Sequence, residues 1–290
     1  MLFKNKNIKL IDIFFIFISF VFLLIIGLFL KKTLSFKELL FLILCFILII
    51  FVILQIYRRL SKHFEYLINL RSKEIEDKLI LELNLKLNKL SGELLAYSFH
   101  LNIPPIFTKW TIDGDLLKII IDEIYSINKN NITILELGSG LSTIFLSYIL
   151  KKLNKGKLYS IEHDELFYKK TKNLLELNDL NDICNLIYSP LEEIYINGKK
   201  WIWYNTKFIN NIDNLDILII DGPPGYIQEM SRFPALPMLI NKLNNNSIVF
   251  FDDASREDEK NIIEKWRILY PNFSFKIINT SKGAIKIIIL

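Results

Sequence analysis

The stretch Ile132-Thr-Ile-Leu-Glu136-Leu-Gly138-Ser-Gly140-Leu-Ser142-Thr143 decides the fold. An apolar, β-rich run ends in an acid, two glycines follow at i and i+2, and residues 144–153 are compatible with a helix. Glycines in such a strand-to-helix turn let a ligand approach the backbone, and the start of the helix offers unpaired N–H groups. The stretch therefore predicts a ligand-binding turn, although dinucleotide-binding turns have a similar pattern.

Downstream of about Trp110, short apolar strands alternate with helices. The pattern predicts helices at 116–127, 141–152, 165–177, 228–243 and 256–269, strands at 133–137, 158–161, 183–188, 216–220 and 247–251, and a final hairpin at 273–279 and 284–290. Such alternation is typical of a parallel sheet covered on both faces. We expect an α/β fold: a Rossmann-like, doubly wound, mostly parallel sheet with a C-terminal antiparallel hairpin.

The N-terminal region is strongly apolar, and the chain as a whole is 51% hydrophobic. Residues 11–30 and 39–56 are each about long enough to cross a hydrocarbon core of roughly 30 Å. A cleaved signal peptide is the alternative for the first run, but Leu30-Lys31-Lys32 offers no small-residue cleavage site. We therefore predict two transmembrane helices and a lipid bilayer as the partner of residues 11–56.

The loop between the two runs, residues 31–38, is short enough to make them a hairpin with both ends on one side. Basic residues flank the hairpin at Lys4, Lys6, Lys9, Arg58, Arg59, Lys62, Arg71 and Lys73, and they outnumber the lysines of the loop. The positive-inside rule then predicts an inner-membrane anchor with the remaining chain in the cytoplasm. The predicted domains are a hairpin at 1–57, a helical connector at 58–104 and a globular domain at 105–290.

The connector carries leucine and isoleucine at roughly helical spacing among many charges, and Pro104-Pro105 is expected to end it. An amphipathic connector is the simpler interpretation, and self-association through residues 58–97 is the alternative, since the heptads are short and irregular. The net charge of +5 without a basic–aromatic stripe argues against a nucleic-acid partner. The two cysteines, Cys45 and Cys184, fall in different predicted regions and should not pair.

Polar residues follow the predicted strands where each strand ends. In an open parallel sheet, ligands bind at this edge, near the point where the strand order reverses. Glu162 directly follows the second strand and suits the two hydroxyls of a ribose. Asp164 is better explained as the N-cap of the next helix, and His163 as a packed or capping residue rather than a base.

The next two strand ends carry Asp221-Gly-Pro-Pro-Gly225 and Asp252-Asp253. If the carboxylates of Asp221, Asp252 and Asp253 converge, they raise one another's pKa or bind a cation. The alternative is that Asp253 caps a helix beginning near Arg256 and that Arg256 neutralises Asp252.

Several ordered motifs resemble the class I S-adenosylmethionine-dependent methyltransferases, in particular a bacterial branch with an Asp-Gly-Pro-Pro-Gly loop. The resemblance covers about residues 105–290. It rests on the sequences at 136–142, 160–164, 216–225, 232–237 (Arg-Phe-Pro-Ala-Leu-Pro) and 251–259.

The resemblance implies roles for individual residues. Glu136, Gly138, Ser139 and Gly140 would surround the methionine part of the cofactor, and Ser142 stands where the family usually has a third glycine. Glu162 would hold the ribose. Pro190 and Leu191 would lie near the adenine.

The fourth and fifth strand ends are also similar to those of catechol-type O-methyltransferases, in which an Asp and an Asp-Asn pair bind magnesium. Here these positions are Asp221 and Asp252-Asp253, which implies a possible Mg²⁺ site. The lysine that those enzymes place after the first Asp is missing, and Pro224 stands in its region. The proton acceptor is then Asp221 or a group acting through a bound cation.

These observations predict a membrane-tethered S-adenosylmethionine-dependent methyltransferase that acts on a small, lipid-linked or glycan acceptor, by O-methylation, at the cytoplasmic side. The alternatives are a non-catalytic nucleoside-binding or assembly module and, less favoured, a nicotinamide-dependent oxidoreductase. Residues 195–214, with Trp201, Trp203 and Tyr204, either line the acceptor pocket or form an edge hairpin.

Overall fold

The computed structural model describes residues 15, 18–23, 26–28, 35–99, 101 and 111–290. The chain divides into two compact units, Met1–Lys78 and Leu79–Leu290. The predicted boundaries at 57 and 104 differ from this division, and helix α1 (Phe36–Ser98) runs through residue 57 without a break. The domain limits 1–57, 58–104 and 105–290 stay predictions.

Within the described residues, one helical stretch, Ile43–Ile80, is long and apolar enough to cross a membrane. Its most apolar 18-residue window has a mean hydropathy of 2.3, and none of that window is buried. Length and composition are the only basis for this statement, and soluble core helices and signal sequences share both properties. One long apolar helix is thus present where the second span was predicted, and the two-span membrane anchor stays a prediction.

Half of the first predicted span, 11–30, lies outside the described residues. Its described residues, 15, 18–23 and 26–28, are helical. Pro104-Pro105 also lies outside them. At the start of α1, the N–H and the hydroxyl of Ser35 both donate to Glu38 Oε2 at 2.8 Å, which satisfies one of the unpaired groups at the helix start.

The second unit contains a seven-stranded sheet with the order β3-β2-β1-β6-β7-β9-β8. The first five of these strands are parallel, and β9 and β8 continue the sheet in antiparallel fashion. The strands are β1 (Ile132–Leu137), β2 (Gly156–Glu162), β3 (Cys184–Tyr188), β4 (Leu191–Ile196), β5 (Lys199–Tyr204), β6 (Leu215–Ile220), β7 (Leu243–Asp252), β8 (Ser274–Ile278) and β9 (Ala284–Ile288). The predicted mostly parallel α/β sheet with a C-terminal antiparallel hairpin is confirmed.

Helices cover both faces of this sheet, which explains why its strands are apolar throughout. The helices after α1 are α2 (Gly114–Ser126), α3 (Leu141–Leu153), α4 (Glu165–Leu177), α5 (Ala235–Leu239) and α6 (Glu257–Leu269). Ile132 and Ile134 of β1 face one core with α2 and α3, whereas Leu135 and Leu137 face the other. A strand buried on both faces leaves its carboxyl end as the place where polar groups reach solvent.

The helix predicted at 228–243 is wrong in extent. Only Ala235–Leu239 is α-helical, a 3₁₀ turn follows at Ile240–Lys242, and β7 already begins at Leu243. Pro234 lacks a backbone N–H and cannot stand in a helix interior, so it is the N-cap and the helix begins only at Ala235. The preceding residues form a loop, in which the Gln228 side chain bonds both the N–H and the C=O of Ile202.

The strand order reverses between the neighbouring strands β1 and β6. From β1 the sheet continues to one side through β2 and β3, and from β6 it continues to the other side through β7, β9 and β8. Leu137 and Ile220 are in register at their ends, and Asp221 N donates to Leu137 O at 3.0 Å. The reversal therefore brings the glycine turn after β1 and the loop after β6 side by side. This is the position at which open α/β sheets bind ligands.

Candidate active site

A cavity of about 590 Å³ lies at the carboxyl ends of the central strands. Its walls combine the turn after β1, the end of β2, the loop after β6 and the turn after β7. The lining residues are Gly138, Ser139, Glu162, His163, Asp164, Phe167, Tyr204, Asp221, Gly222, Pro224, Gly225, Tyr226, Arg232, Asp253, Arg256 and Lys282. The structure thus brings Gly138, Ser139, Glu162, Asp221 and Asp253 of the predicted site together.

At Gly138, the backbone of the turn after β1 lies against the backbone of the loop after β6. Its φ of 96° lies in the region that side chains rarely adopt. A Cβ at Gly138 would come within 3.2 Å of Gly222 N. Glycine is required here because the two backbones meet at the cavity floor.

Glu136 lies beneath the cavity rather than in its wall. It is fully buried, and it accepts hydrogen bonds from the hydroxyls of Ser142, Thr143 and Ser160, the last two at 2.6 and 2.7 Å. Burial raises the pKa of Glu136 to about 7, although these hydroxyls act to lower it. The carboxyl group ties the first turn of α3 to β1 and β2, and its contact with a cofactor stays a prediction. Gly140, at the N-cap of α3, is likewise absent from the cavity lining given above.

Glu162 is held by four local donors at the end of β2. Its Oε2 accepts from the N–H and the hydroxyl of Ser139 at 3.0 and 3.1 Å, and its Oε1 accepts from the N–H groups of His163 and Asp164 at 2.8 and 2.9 Å. The carboxylate is thereby fixed at the cavity wall beside the glycine turn.

The neighbouring residues have the roles that the sequence favoured. Asp164 caps α4, since its Oδ1 accepts from Leu166 N and Phe167 N at 2.8 and 3.0 Å. His163 packs its ring edge-on against Tyr204, with the ring centroids 6.2 Å apart. Its Nδ1 lies 3.0 Å from Glu162 Oε1.

Asp221, Asp252 and Asp253 each place a carboxylate oxygen within 4.8 Å of the others. Asp221 follows β6, and the other two end β7 and begin its turn, so adjacent strand ends produce the cluster. Asp253 has a φ of 61°, a left-handed conformation that Asp tolerates better than most residues. The predicted convergence of the three acids is therefore present, although Asp252 itself is not among the lining residues.

Arg232 is the cation of this cluster in the structure. It is 3% exposed, and its Nη2 lies 2.9 Å from Asp253 Oδ2 and 3.4 Å from Asp221 Oδ1. Its Nη1 donates to Asp252 O at 3.1 Å. The loop between β6 and α5 thus delivers a guanidinium between the two strand ends, where planar donors match carboxylate geometry.

The electrostatics of the cluster are set first by burial. Burial raises the pKa of Asp221, and Asp253 raises it further, while Arg232 acts in the opposite direction. Burial also holds the pKa of Asp252 well above its usual range, with added repulsion from Asp221 and Asp253. Both oxygens of Asp252 are buried and have no hydrogen-bond partner among the described residues.

The pairing expected for Arg256 is wrong. Arg256 Nη1 contacts Asp253 Oδ2 at 3.0 Å rather than Asp252, and Arg256 is itself the N-cap of α6, so Asp253 does not cap that helix. Sequence reasoning also missed Arg232 as a site residue. The signal was its place in Arg-Phe-Pro-Ala-Leu-Pro, shortly after Asp221, in a chain whose acids needed a buried cation.

The segment 195–214 was expected either to line the acceptor pocket or to form an edge hairpin. Its first part belongs to a β-hairpin, formed by β4 and β5. Strands β4 and β5 pair with each other in a separate two-stranded sheet. Trp201 and Trp203 are buried in the core, whereas Tyr204 reaches the cavity with its hydroxyl near Gly222. Pro190 and Leu191 lie at the start of β4 and are not among the cavity-lining residues given above, so their proximity to adenine stays a prediction.

Residues 135–254 match a family model described as a methyltransferase domain. The match begins in β1 and ends just after Asp252-Asp253, and so includes every strand end described above. A comparison with curated proteins finds no match.

Solved structures with a similar fold include several methyltransferases. A human methyltransferase 10 domain-containing protein is 18% identical, with 68% of this chain and 91% of that chain covered and a TM-score of 0.46. A Geobacter sulfurreducens methyltransferase has 17% identity, coverages of 69% and 88%, and a TM-score of 0.43. The Streptomyces achromogenes O-methyltransferase TomG, solved in complex with SAM, has 10% identity, coverages of 72% and 89%, and a TM-score of 0.46.

The match of the family model coincides with the strand ends that form the cavity. It confirms the prediction of an enzyme that transfers methyl groups, and S-adenosylmethionine is the cofactor that it supports. Residues 135–254 therefore form a methyltransferase domain.

Proposed function

We propose that this protein is a membrane-tethered S-adenosylmethionine-dependent O-methyltransferase whose site faces the cytoplasm. One observation carries the proposal for the site. The glycine turn, Glu162 and Asp221 meet at a single cavity at the point where the strand order reverses. A nucleoside-binding edge and a carboxylate beside it are what methyl transfer from a nucleoside cofactor requires.

The cofactor would bind across the ends of β1 and β2. Glu162 would accept the ribose hydroxyls, because its carboxylate is already oriented by Ser139 and the two N–H groups after it. Gly138 and Ser139 would lie under the methionine part, with Glu136 and Gly140 supporting the turn. Pro190 and Leu191 would approach the adenine from the start of β4.

When bound, the cofactor supplies a methyl group on a positively charged sulfur. Asp221 would accept the proton of the acceptor hydroxyl as the oxygen bonds the methyl carbon and the carbon–sulfur electron pair returns to sulfur. Arg232 faces Oδ1 of Asp221, so Oδ2 is the oxygen assigned to the proton. Burial raises the pKa of Asp221, which makes it a stronger base than an exposed carboxylate.

The carboxylate cluster fits a divalent cation. Asp252 has two buried oxygens and Asp253 has a buried Oδ1, none with a partner among the described residues, and oxygen ligands suit Mg²⁺ or Mn²⁺. Asp221, Asp252 and Asp253 would hold the ion beside Arg232. In that case the ion, as the alternative to Asp221 acting as the base, would lower the pKa of an acceptor hydroxyl in the role of the missing lysine.

Calorimetric titration with S-adenosylhomocysteine and, separately, with NAD tests the ligand class. We expect saturable binding of S-adenosylhomocysteine and none of NAD. Binding of NAD alone would favour the oxidoreductase interpretation. Binding of S-adenosylhomocysteine without methyl transfer to any lipid or glycan extract would favour the non-catalytic module.

The proposed anchor is a hairpin formed by residues 11–30 and 39–56. The apolar 18-residue window within the helix Ile43–Ile80 and the basic residues on both sides of residues 11–56 support it. A tether of this kind suits an acceptor that is itself at the membrane, so we propose a lipid-linked or glycan precursor as the methyl acceptor.

A periplasm-active reporter fused after Leu290 should give no signal, while the same reporter inserted near Thr33 should be active. The reason is that both ends of the hairpin are expected on the cytoplasmic side and only its loop on the other. The measurement is alkaline phosphatase activity in intact cells, with a cytoplasm-active reporter at each position as the control. A strong phosphatase signal after Leu290 would contradict both the hairpin and the cytoplasmic site.

A further inference from the structure

We infer that the Tyr204 hydroxyl is a further ligand-binding group of the cavity, and that its partner is the ammonium in the amino-acid part of S-adenosylmethionine. The inference rests on the proposed cofactor site, in which Gly138 and Ser139 lie under the methionine part. It adds a contact from the end of β5, to which the mechanism proposed above gives no role.

The Tyr204 hydroxyl is buried at the cavity wall without a protein partner. The residue has a relative exposure of 0%, and its hydroxyl oxygen makes no hydrogen bond to any of the described residues. The same residue lines the cavity of about 590 Å³. A buried polar group without a protein partner is costly, so a ligand that supplies the missing hydrogen bond is bound more tightly.

The position of the Tyr204 ring is fixed by its neighbours. Tyr204 ends β5 and pairs in register with Leu191 of β4. Its ring lies edge-on to that of Trp203, with the ring centroids 5.5 Å apart. In the loop after β6, the Gln228 side chain bonds both the N–H and the C=O of Ile202 at 3.0 Å. The end of β5 is therefore held by β4 and by this loop, and the hydroxyl is presented at one place in the cavity.

The hydroxyl lies where the two central turns meet. A Cβ at Gly222 would collide with the Tyr204 hydroxyl oxygen and would come within 3.3 Å of Gly138 Cα. The ring of His163, which directly follows Glu162, has its centroid 6.2 Å from that of Tyr204. The hydroxyl therefore lies beside the glycine turn, at the place proposed for the methionine part, whereas Glu162 at the end of β2 marks the proposed position of the ribose.

The charges around the hydroxyl favour the ammonium of the amino-acid part over its carboxylate. Three carboxyl groups, those of Glu162, Asp221 and Glu136, act on the hydroxyl against one guanidinium, that of Arg232. An excess of negative charge attracts a cation and repels an anion. Burial holds the pKa of Tyr204 well above its usual range, and the nearby carboxyl groups raise it further. The group therefore stays a neutral hydroxyl, whose oxygen can accept a hydrogen bond from an ammonium.

Calorimetric titration of full-length, detergent-solubilised Tyr204→Phe protein tests the contact, because phenylalanine keeps the ring and removes only the hydroxyl. The ligands are S-adenosylhomocysteine, its analogue without the α-amino group, and 5′-methylthioadenosine, which lacks the whole amino-acid part. We expect the variant to bind S-adenosylhomocysteine about 10- to 100-fold more weakly than the wild type, as for a lost hydrogen bond to a charged group. Its affinities for the other two ligands should not change.

Two controls separate a binding role from a structural one. Tyr270→Phe is the matched substitution, because Tyr270 packs against the same core as Tyr204 but is not among the cavity-lining residues given above. It should leave all three affinities unchanged. The melting temperature of ligand-free Tyr204→Phe protein should be at least that of the wild type, because the hydroxyl that it removes has no partner among the described residues.

Other outcomes overturn the inference at different points. An unchanged affinity of Tyr204→Phe protein for S-adenosylhomocysteine removes the hydroxyl from the site. An equal loss for 5′-methylthioadenosine assigns the hydroxyl to the adenosine part, and an equal loss for the analogue without the amino group alone assigns it to the carboxylate. A lowered melting temperature with weaker binding of all three ligands indicates a structural role. If the wild type does not bind S-adenosylhomocysteine, the proposed function itself fails, and the inference fails with it.

Discussion

Replacing Glu162 with alanine is expected to weaken S-adenosylhomocysteine binding about 30- to 1000-fold, since two charge-assisted hydrogen bonds to the ribose are worth roughly 2–4 kcal/mol together. The carboxylate is 4% exposed and is held against the turn after β1. Alanine removes both proposed ribose contacts at once. The measurement is the dissociation constant from calorimetry.

Glu165→Ala is the matched control for this substitution. Glu165 is three residues further on, in the first turn of α4, and its carboxylate is exposed and paired with Lys169. It should leave the affinity unchanged. Because Glu162 also accepts from local N–H groups, the melting temperature of each variant must be measured beside the affinity. A Glu162→Ala protein that remains folded and binds as tightly as the wild type would remove Glu162 from the cofactor site.

Saturating Mg²⁺ or Mn²⁺ is expected to raise the melting temperature of the protein by about 5–10 °C. At 100 times the dissociation constant, a ligand that binds only the folded state stabilises it by about 2.7 kcal/mol, and one kcal/mol corresponds to roughly 2–4 °C in a domain of this size. The cause is the relief of repulsion among Asp221, Asp252 and Asp253 and the pairing of the buried oxygens of Asp252.

Asp252→Asn should abolish the shift without unfolding the protein. Asp252 is buried, burial holds its pKa well above its usual range, and an amide has the same shape as the carboxyl group, so asparagine should keep the fold while removing an anionic ligand of the cation. Asp213→Asn is the control, because Asp213 is an exposed acid paired with Lys242. No shift with either cation, together with full methyl transfer in EDTA, would favour the account in which Arg232 and Arg256 neutralise the cluster.

The order of elements and the ends of the strands could be predicted, because both are local properties of the chain. Apolar runs with the periodicity of strands and helices placed β1, β2, β6 and β7 within a few residues of their observed limits. The acids and glycines that follow those strands were recognisable for the same reason. The loop before β7 was mispredicted as a helix, because its hydrophobic residues outweighed two prolines in the pattern.

The partners of charged side chains could not be predicted, because they come from segments far apart in sequence. Arg256 was the basic residue nearest to the acids along the chain, yet Arg232 is the one buried among Asp221, Asp253 and the backbone of Asp252. Similarly, the three hydroxyls that donate to the Glu136 carboxylate, those of Ser142, Thr143 and Ser160, come from α3 and β2, and the contact of Glu136 with the cofactor stays a prediction.

By itself, the sequence determined that residues 132–143 form a strand, a glycine turn and the start of a helix, because strand propensity, glycine conformational freedom and helix periodicity act over a few neighbouring residues. Only the tertiary structure decided which groups share the cavity. The reversal of strand order between β1 and β6 brings Gly138 against Gly222, and the loop from β6 to β7 carries Arg232 to the acids. Burial there changes the pKa of each carboxyl group, and burial is a property of the packed sheet rather than of any single segment.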